Sequence, residues 1–276
     1  MIPAGFEYHR PADIRSAISI LQEHGDAARV IAGGHSLIPM MKLRMTDIGH
    51  LVDLQAIGEL KGVEVGAEKV TLGAMTTQAE LIGNAALGAK IPLLREAALQ
   101  IADPQVRYVG TVGGNVANGD PGNDMPGLMQ CLDATYTLVG PDGTRDVAAR
   151  DFYEAAYFTA RGDEEILTRI TIPVPAMKGY AYEKQKRKIG DYATAAAAVL
   201  VGGGKASVAM TNLSDTPIWS EAAGAALAKG DVEGCVAAAM GAIAPSEDMR
   251  GPIAFKKHVA EVILRRAIAK AQERAK

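Results

Sequence analysis

Cysteine is nearly absent from this sequence. Cys131 and Cys235 are the only two in 276 residues. Neither belongs to a CxxC pair or a Cys/His cluster, so zinc and iron–sulfur sites within the chain are not expected. Two isolated thiols fit a reducing compartment, where both serve as small core residues. Concentrated basic charge is lacking as well. The formal net charge is −3, and nucleic-acid phosphates need a dense basic face. The one basic run, Lys184 to Lys188 (KQKRK), reads equally well as a solvated strand edge or as a ligand-facing segment. No apolar run is long enough to span a bilayer, since the longest weakly polar stretch, Ala193 to Gly204, is short and glycine-rich. The opening MIPAGFEYHRPADI has no apolar core of a secretory signal. The expectation is a soluble cytoplasmic protein without an integral membrane segment. Five histidines (His9, His24, His35, His50, His258) are scattered, with no HExxH and no i, i+4 pair. No nucleophile–base constellation exists either, so neither a catalytic residue nor a metal ligand is expected. Four of the five, all but His35, read as structural.

What is present is a globular composition, 48% apolar and 22% charged, enough to bury a sizeable core. Pro11 to Gly25 carries Ile14, Ala17, Ile18 and Leu21 at helical spacing, with Gly25 as the stop. A strand at Ala28 to Ile31 follows, then a helix from the Ser36 cap through Leu43, and a strand at His50 to Leu54. Strands are expected at Gly62 to Val65 and Lys69 to Ala74, and helices at Thr77 to Asn84, Pro92 to Ala102 and Pro126 to Leu132. Pro141-Asp142-Gly143 turns a hairpin, and Ile166 to Ile172 forms another strand. Beyond Pro173–Gly179, a three-stranded meander (Tyr180 to Lys188, Ala193 to Val201, Lys205 to Leu213) precedes helices at Ser220 to Ala228, Val232 to Ala242 and Pro252 to Lys276. Meanders rather than strict βαβ alternation disfavour a Rossmann fold. The predicted class is α+β, with domains at 1–54, 55–176 and 177–276, the last a three-stranded antiparallel sheet plus helices.

Two double-glycine segments share one grammar: Ala32-Gly33-Gly34-His35-Ser36 and Thr111-Val112-Gly113-Gly114-Asn115. Adjacent glycines allow positive φ and close backbone approach, turning N–H groups toward an anion. Ser36, Thr111 and Asn115 add neutral donors, and helix N-termini next to such turns favour phosphate. A pyrophosphate can be held this way without lysine. Asp120 and Asp124, flanked by Pro121, Gly122 and Asn123, suit a turn better than a metal cage. Asp124 reads either as an acceptor for a ribose or ribityl hydroxyl or as an Asx turn stabiliser. Lys184, Asp191 and Tyr192 precede a strand of small residues, and read as a wall for a flat ring or as an ordinary hairpin.

The segments AGGHSLIPMMKLR, ADPQVRYVGTVGGNVANGDPGNDMP and YEKQKRKIGDYATAAAA resemble the FAD-binding subunits of molybdenum hydroxylases, and the likeness runs over essentially the whole chain. GDYATAAAA and GGHSLIPMMKLR point to the branch that oxidises carbon monoxide. The resemblance implies a three-domain FAD-binding fold of the vanillyl-alcohol-oxidase/PCMH type with a C-terminal domain of the CO dehydrogenase flavoprotein type. It implies that Ala32, Gly33, Gly34, His35 and Ser36, with Thr111, Val112, Gly113, Gly114 and Asn115, hold the FAD pyrophosphate. Asp124 then lies near the ribityl chain, and Lys184, Asp191 and Tyr192 near the isoalloxazine ring, with Arg29 and Leu37 as flanking contacts. It further implies an iron–sulfur small subunit with [2Fe–2S] clusters and a large subunit with a molybdenum–copper cofactor, assembled as a dimer of heterotrimers. Electrons would leave through a quinone-type acceptor, and a peripheral place at the inner face of the membrane is compatible with this. The alternatives are a subunit of another molybdenum hydroxylase acting on a purine, aldehyde or aromatic acyl-CoA, a stand-alone flavin oxidase, and a non-catalytic nucleotide-binding scaffold.

Overall fold

The computed structural model describes residues 2–276. Its first sheet is parallel. Strands β1 (Glu7–His9), β2 (Ala28–Ile31) and β3 (His50–Asp53) lie in the order β1-β3-β2. Helix α1 (Ile14–His24) covers one face and buries Ala17, Ile18 and Leu21 against Ala28 and Val52. Asp13 caps α1 by accepting from Ser16 N at 2.8 Å, and Gly25, at φ 50°, ends it. A left-handed stop of this kind favours glycine. Helix α2 (Leu37–Lys42) leaves the sheet directly after the first double glycine. Strand β1 has no counterpart in the sequence reading, because three residues are too few to show a period.

The second sheet is antiparallel, in the order β4-β5-β10-β6-β7. Its members are β4 (Val63–Val65), β5 (Lys69–Gly73), β6 (Thr135–Gly140), β7 (Gly143–Ala148) and the central β10 (Ile166–Pro173). A two-stranded ribbon, β8 (Tyr153–Ala155) and β9 (Phe158–Thr159), lies beside it. Between β5 and β6 the chain lays down α3 (Gln78–Gly83), α4 (Ala85–Lys90), α5 (Pro92–Ala98), α6 (Pro104–Val109), α7 (Val112–Ala117) and α8 (Asp124–Cys131). Thr77 and Glu80 form a capping box on α3, a reciprocal pairing that satisfies two end donors.

The third sheet has four strands rather than the expected three. To β11 (Gly179–Gln185), β12 (Ala195–Gly202) and β13 (Lys205–Thr211) it adds β14 (Ile218–Trp219), paired through Ala209↔Trp219 and Met210↔Ile218. Helices α9 (Glu221–Ala228), α10 (Val232–Ala242) and α11 (Ile253–Arg274) close one face. The other face rests on α5 and α8. Strand β12 is therefore covered on both sides. Ala195, Ala197 and Val199 point to the α9–α11 layer, and Ala196, Ala198 and Leu200 to the middle-domain helices. Small side chains let both layers approach, which explains the run of alanines. The middle and C-terminal parts share one apolar core, so the helical layer binds the second and third sheets together.

Candidate functional site

The segment from Thr111 to Asp124 opens with a helix, α7. Thr111 caps α7 by accepting from Gly114 N at 3.0 Å. Neither Gly113 nor Gly114 has a positive φ, whereas Gly34 does, at 71°. The glycines at 113 and 114 instead answer a demand for space. A Cβ at Gly113 would lie 2.5 Å from the Ala74 Cβ, and one at Gly114 would lie 2.8 Å from the Thr111 hydroxyl. A Cβ at Gly33 would strike the Val109 carbonyl and come within 2.8 Å of the Gly110 Cα. The Gly114 position also faces the Ala32 Cβ at 3.5 Å. The first motif thus packs on the backbone at Val109 and Gly110, just before the second motif, and its Ala32 side chain faces Gly114.

Their hydrogen-bonding states differ. In the second motif the N–H groups of Val112 and Gly113 already donate to the Thr76 and Ala74 carbonyls, at 2.8 and 2.9 Å. In the first, the N–H groups of His35, Ser36 and Leu37 find no acceptor among the described residues, and the Ser36 hydroxyl makes no capping bond. The expectation that both motifs turn free N–H groups outward is corrected for the second, whose helical first turn is already satisfied. What the second motif offers is a side chain: the Asn115 amide oxygen Oδ1 is buried without a partner, a state that is costly unless something donates to it. His35 is exposed beside Gly110, and Leu37 is half-buried against the α2 face of the first sheet. Arg29 is exposed on β2, close enough to Arg161 to lower that residue's pKa after burial has done so.

Asn123 Nδ2 donates to the main-chain oxygen of Asn115 at 2.9 Å and carries the site on to Asp124, the first residue of α8. Both carboxylate oxygens of Asp124 are engaged. Lys184 Nζ donates to Oδ2 at 2.7 Å and the Tyr182 hydroxyl to Oδ1 at 2.5 Å. The Asx-turn role belongs instead to Asp120, which accepts from Gly122 N at 2.9 Å. Lys184, buried, also donates to the Gln100 carbonyl at 3.3 Å. Of the two readings of the basic run, its first residue is inward-facing. Burial, and then the Asp124 charge, push the Tyr182 hydroxyl well above its ordinary pKa, so it stays a donor. Tyr182 was missed in the sequence, although it shares a strand face with Lys184, two residues on.

Tyr192 lies against the same loop from the other side. Its ring would sit 3.1 Å from a Cβ at Gly122, and Arg250 stacks at 5.6 Å from its centroid. Burial, then Asp120 and Tyr157, push its hydroxyl up to about 12. Asp191 is held by Arg187 at 2.8 Å and braces the turn that presents Tyr192. The sequence-derived residues therefore gather along one line from the first motif, through α7 and Asn123, to Asp124, Lys184 and Tyr192. A surface recess of about 730 Å³, lined by Asp142, Arg145, Asp163 and Glu165, contains none of them. It is an open hollow beside the β6–β7 hairpin, held by the Arg145–Glu165 ion pair.

Residues 4–175 match the family described as FAD binding domain in molybdopterin dehydrogenase, and residues 180–271 match the CO dehydrogenase flavoprotein C-terminal domain. The chain belongs to the FAD-binding flavoproteins of the molybdopterin dehydrogenases. Among its relatives is the carbon monoxide dehydrogenase medium chain of Afipia carboxidovorans, 55% identical with both chains covered in full. The corresponding chain of Hydrogenophaga pseudoflava is 42% identical over 97% of each chain. Among solved structures, reconstituted CO dehydrogenase from Oligotropha carboxidovorans aligns with a TM-score of 0.96 at 54% identity, covering both chains in full. The residues present fit the family's cofactor. The orphaned Asn115 Oδ1 and the unpaired N–H groups at His35 and Ser36 form a neutral cradle for an anionic, hydroxyl-bearing group. No helix among the described residues is long and apolar enough to cross a membrane.

Proposed function

We propose that this chain is the FAD-carrying electron-transfer subunit of a carbon monoxide dehydrogenase complex. The full-length likeness to carbon monoxide dehydrogenase medium chains is the observation that carries the reading. In this reading Ala32 to Ser36 and Thr111 to Asn115 hold the FAD pyrophosphate between the first two domains. The first motif contributes free backbone N–H groups. The second contributes the Asn115 amide, held in place by a turn that packs on Ala74 because Gly113 carries no Cβ. Arg29 and Leu37 flank the first motif. Lys184 and Tyr182 fix the Asp124 carboxylate beside the ribityl chain, where its remaining lone pairs accept from hydroxyls. Tyr192, with Asp191 bracing its turn, lines the space for the ring.

When bound, FAD supplies a redox group able to exchange electrons with both two-electron and one-electron partners. The chain's own residues bind, orient and insulate that group, and none of them is needed as a proton donor or base. The oxidation of CO with water to CO2 belongs to a large subunit with a molybdenum–copper cofactor. A small subunit with [2Fe–2S] clusters links that centre to this chain, and a quinone-type acceptor removes the electrons. The assembly is a dimer of heterotrimers in the cytoplasm, with peripheral attachment at the inner face of the membrane. Co-expression of the chain with its candidate partner genes tests this. Co-purification of one flavin with iron and molybdenum is expected, and a flavin-free chain that binds neither partner would overturn the reading.

A further inference from the structure

Three of the five histidines, which no sequence spacing relates, come together at one end of the first sheet. His9 ends β1, His50 begins β3, and His24 ends α1. The register pairs Glu7 with His50 and His9 with Val52, which places Glu7, His9 and His50 on the sheet face that α1 covers. One ligating atom from each of the three rings falls within 4.8 Å of the others. His9 Nε2 and His50 Nδ1 are 3.0 Å apart. Two imidazole nitrogens on one ion, each at roughly 2.0–2.1 Å, sit at about this separation. The Glu7 carboxylate lies 3.5 Å from His50 Nδ1 and 4.0 Å from His9 Nε2.

We propose that His9, His24 and His50, with Glu7, form a binding site for a divalent transition-metal cation. Three imidazoles and one carboxylate are the donors that suit Zn2+, Co2+, Ni2+ or Cu2+, and they disfavour Mg2+ and Ca2+, which take oxygen ligands. The His24 ring stacks on His50 at 3.6 Å between centroids and 3° between planes. No hydrogen bond fixes it among the described residues. The ring is therefore held only by stacking, and one of its nitrogens already lies within 4.8 Å of the other two ligating atoms. The position adds to the attraction, because His24 is the last residue of α1, where the helix dipole presents negative charge. All three rings are half-buried, so an ion can enter from solvent and still be partly shielded from it. Glu7 and His50 lie at the N-terminal edge of the sheet with His9 two residues further along β1, whereas the double-glycine turn leaves from the C-terminal end of β2. Its occupant is therefore a staple joining β1, α1 and β3, separate from the flavin cradle.

The test uses the full-length, flavin-loaded chain, stripped with chelator and desalted. Titration with ZnCl2 alone should show one equivalent bound and a rise in melting temperature. CoCl2 alone should give the visible absorption of a nitrogen-ligated Co2+ ion. In His24→Ala, and in His9→Gln/His24→Gln with unchanged flavin content, Zn2+ affinity should fall by more than about 10-fold. Loss of even an outer-shell partner costs that much. The melting shift should vanish in both variants. A wild-type chain that binds no stoichiometric Zn2+, or variants that bind it as the wild type does, would overturn the proposal.

Discussion

Lys184 and Asp124 meet at 2.7 Å with their side chains 1% and 5% exposed, joining the first strand of the third sheet to the helix that follows the glycine-rich segment. Two opposite charges so removed from water depend on each other. Removing one leaves the other buried and unpaired, which costs about 3–5 kcal/mol. Lys184→Met should therefore melt well below the wild type. The double change Lys184→Met/Asp124→Asn should recover part of the loss, since it leaves no buried net charge. Thermal melts of the three proteins decide this, and equal melting of the single variant and the wild type would contradict a coupled pair.

The glycines of the two motifs should be intolerant for a steric reason. Gly33→Val places side-chain carbon against the Val109 carbonyl and the Gly110 Cα, and it should purify with little or no flavin. Gly241→Ala is the control. That glycine lies in the last turn of α10 with nothing within 4 Å of a Cβ, and alanine is the better helix former. The control should keep its flavin and melt no lower. Full flavin content in Gly33→Val would count against the packing of the first motif on Val109 and Gly110.

How much of this was readable beforehand depends on whether the signal was local. Helix α1, the Pro141–Gly143 hairpin and the alternating β10 are set by spacing within a few residues, and they lie where the sequence places them. Helices α6 and α7 were not read as helices. In α7 the paired glycines weaken helix propensity, and the Thr111 cap and the close contact with Ala74 decide the conformation. Strands β1 and β14 are too short to show a period, and they exist because neighbouring strands pair with them. At the site, the two double glycines could be seen locally. Tyr182 and the Asn115–Asn123 link join residues through the fold, and the convergence of His9, His24 and His50 does the same. One sequence does not display such relationships.

Glu96 predicts a pH effect. Burial pushes its pKa up, but the Tyr182 N–H, Arg274 and Lys270 more than reverse this and hold it below the ordinary 4.5. A depressed carboxylate adds stability that is present above its unfolded value and lost as pH falls through the folded one. The wild type should therefore lose melting temperature steeply below about pH 4.5. Glu96→Gln should be less stable at neutral pH and should show a shallower decline in acid. Parallel melting curves against pH for the two proteins would contradict the assignment.

Tyr192 is expected to act through its ring. Tyr192→Phe keeps the surface that packs on Gly122 and should leave the flavin absorption spectrum unchanged. Tyr192→Ala removes the surface and should shift the spectrum or reduce flavin content. Identical spectra and content for the alanine variant and the wild type would remove Tyr192 from the site.

The central claim is that this chain holds FAD and passes on electrons that it does not itself draw from the substrate. Its most direct test is flavin absorbance under CO, recorded for the chain alone and for the chain assembled with its iron–sulfur and molybdenum partners. The account predicts that the assembled flavin bleaches while the isolated chain, fully loaded with flavin, does not. Bleaching of the isolated chain by CO, or a loaded complex whose flavin stays oxidised under CO, would contradict it.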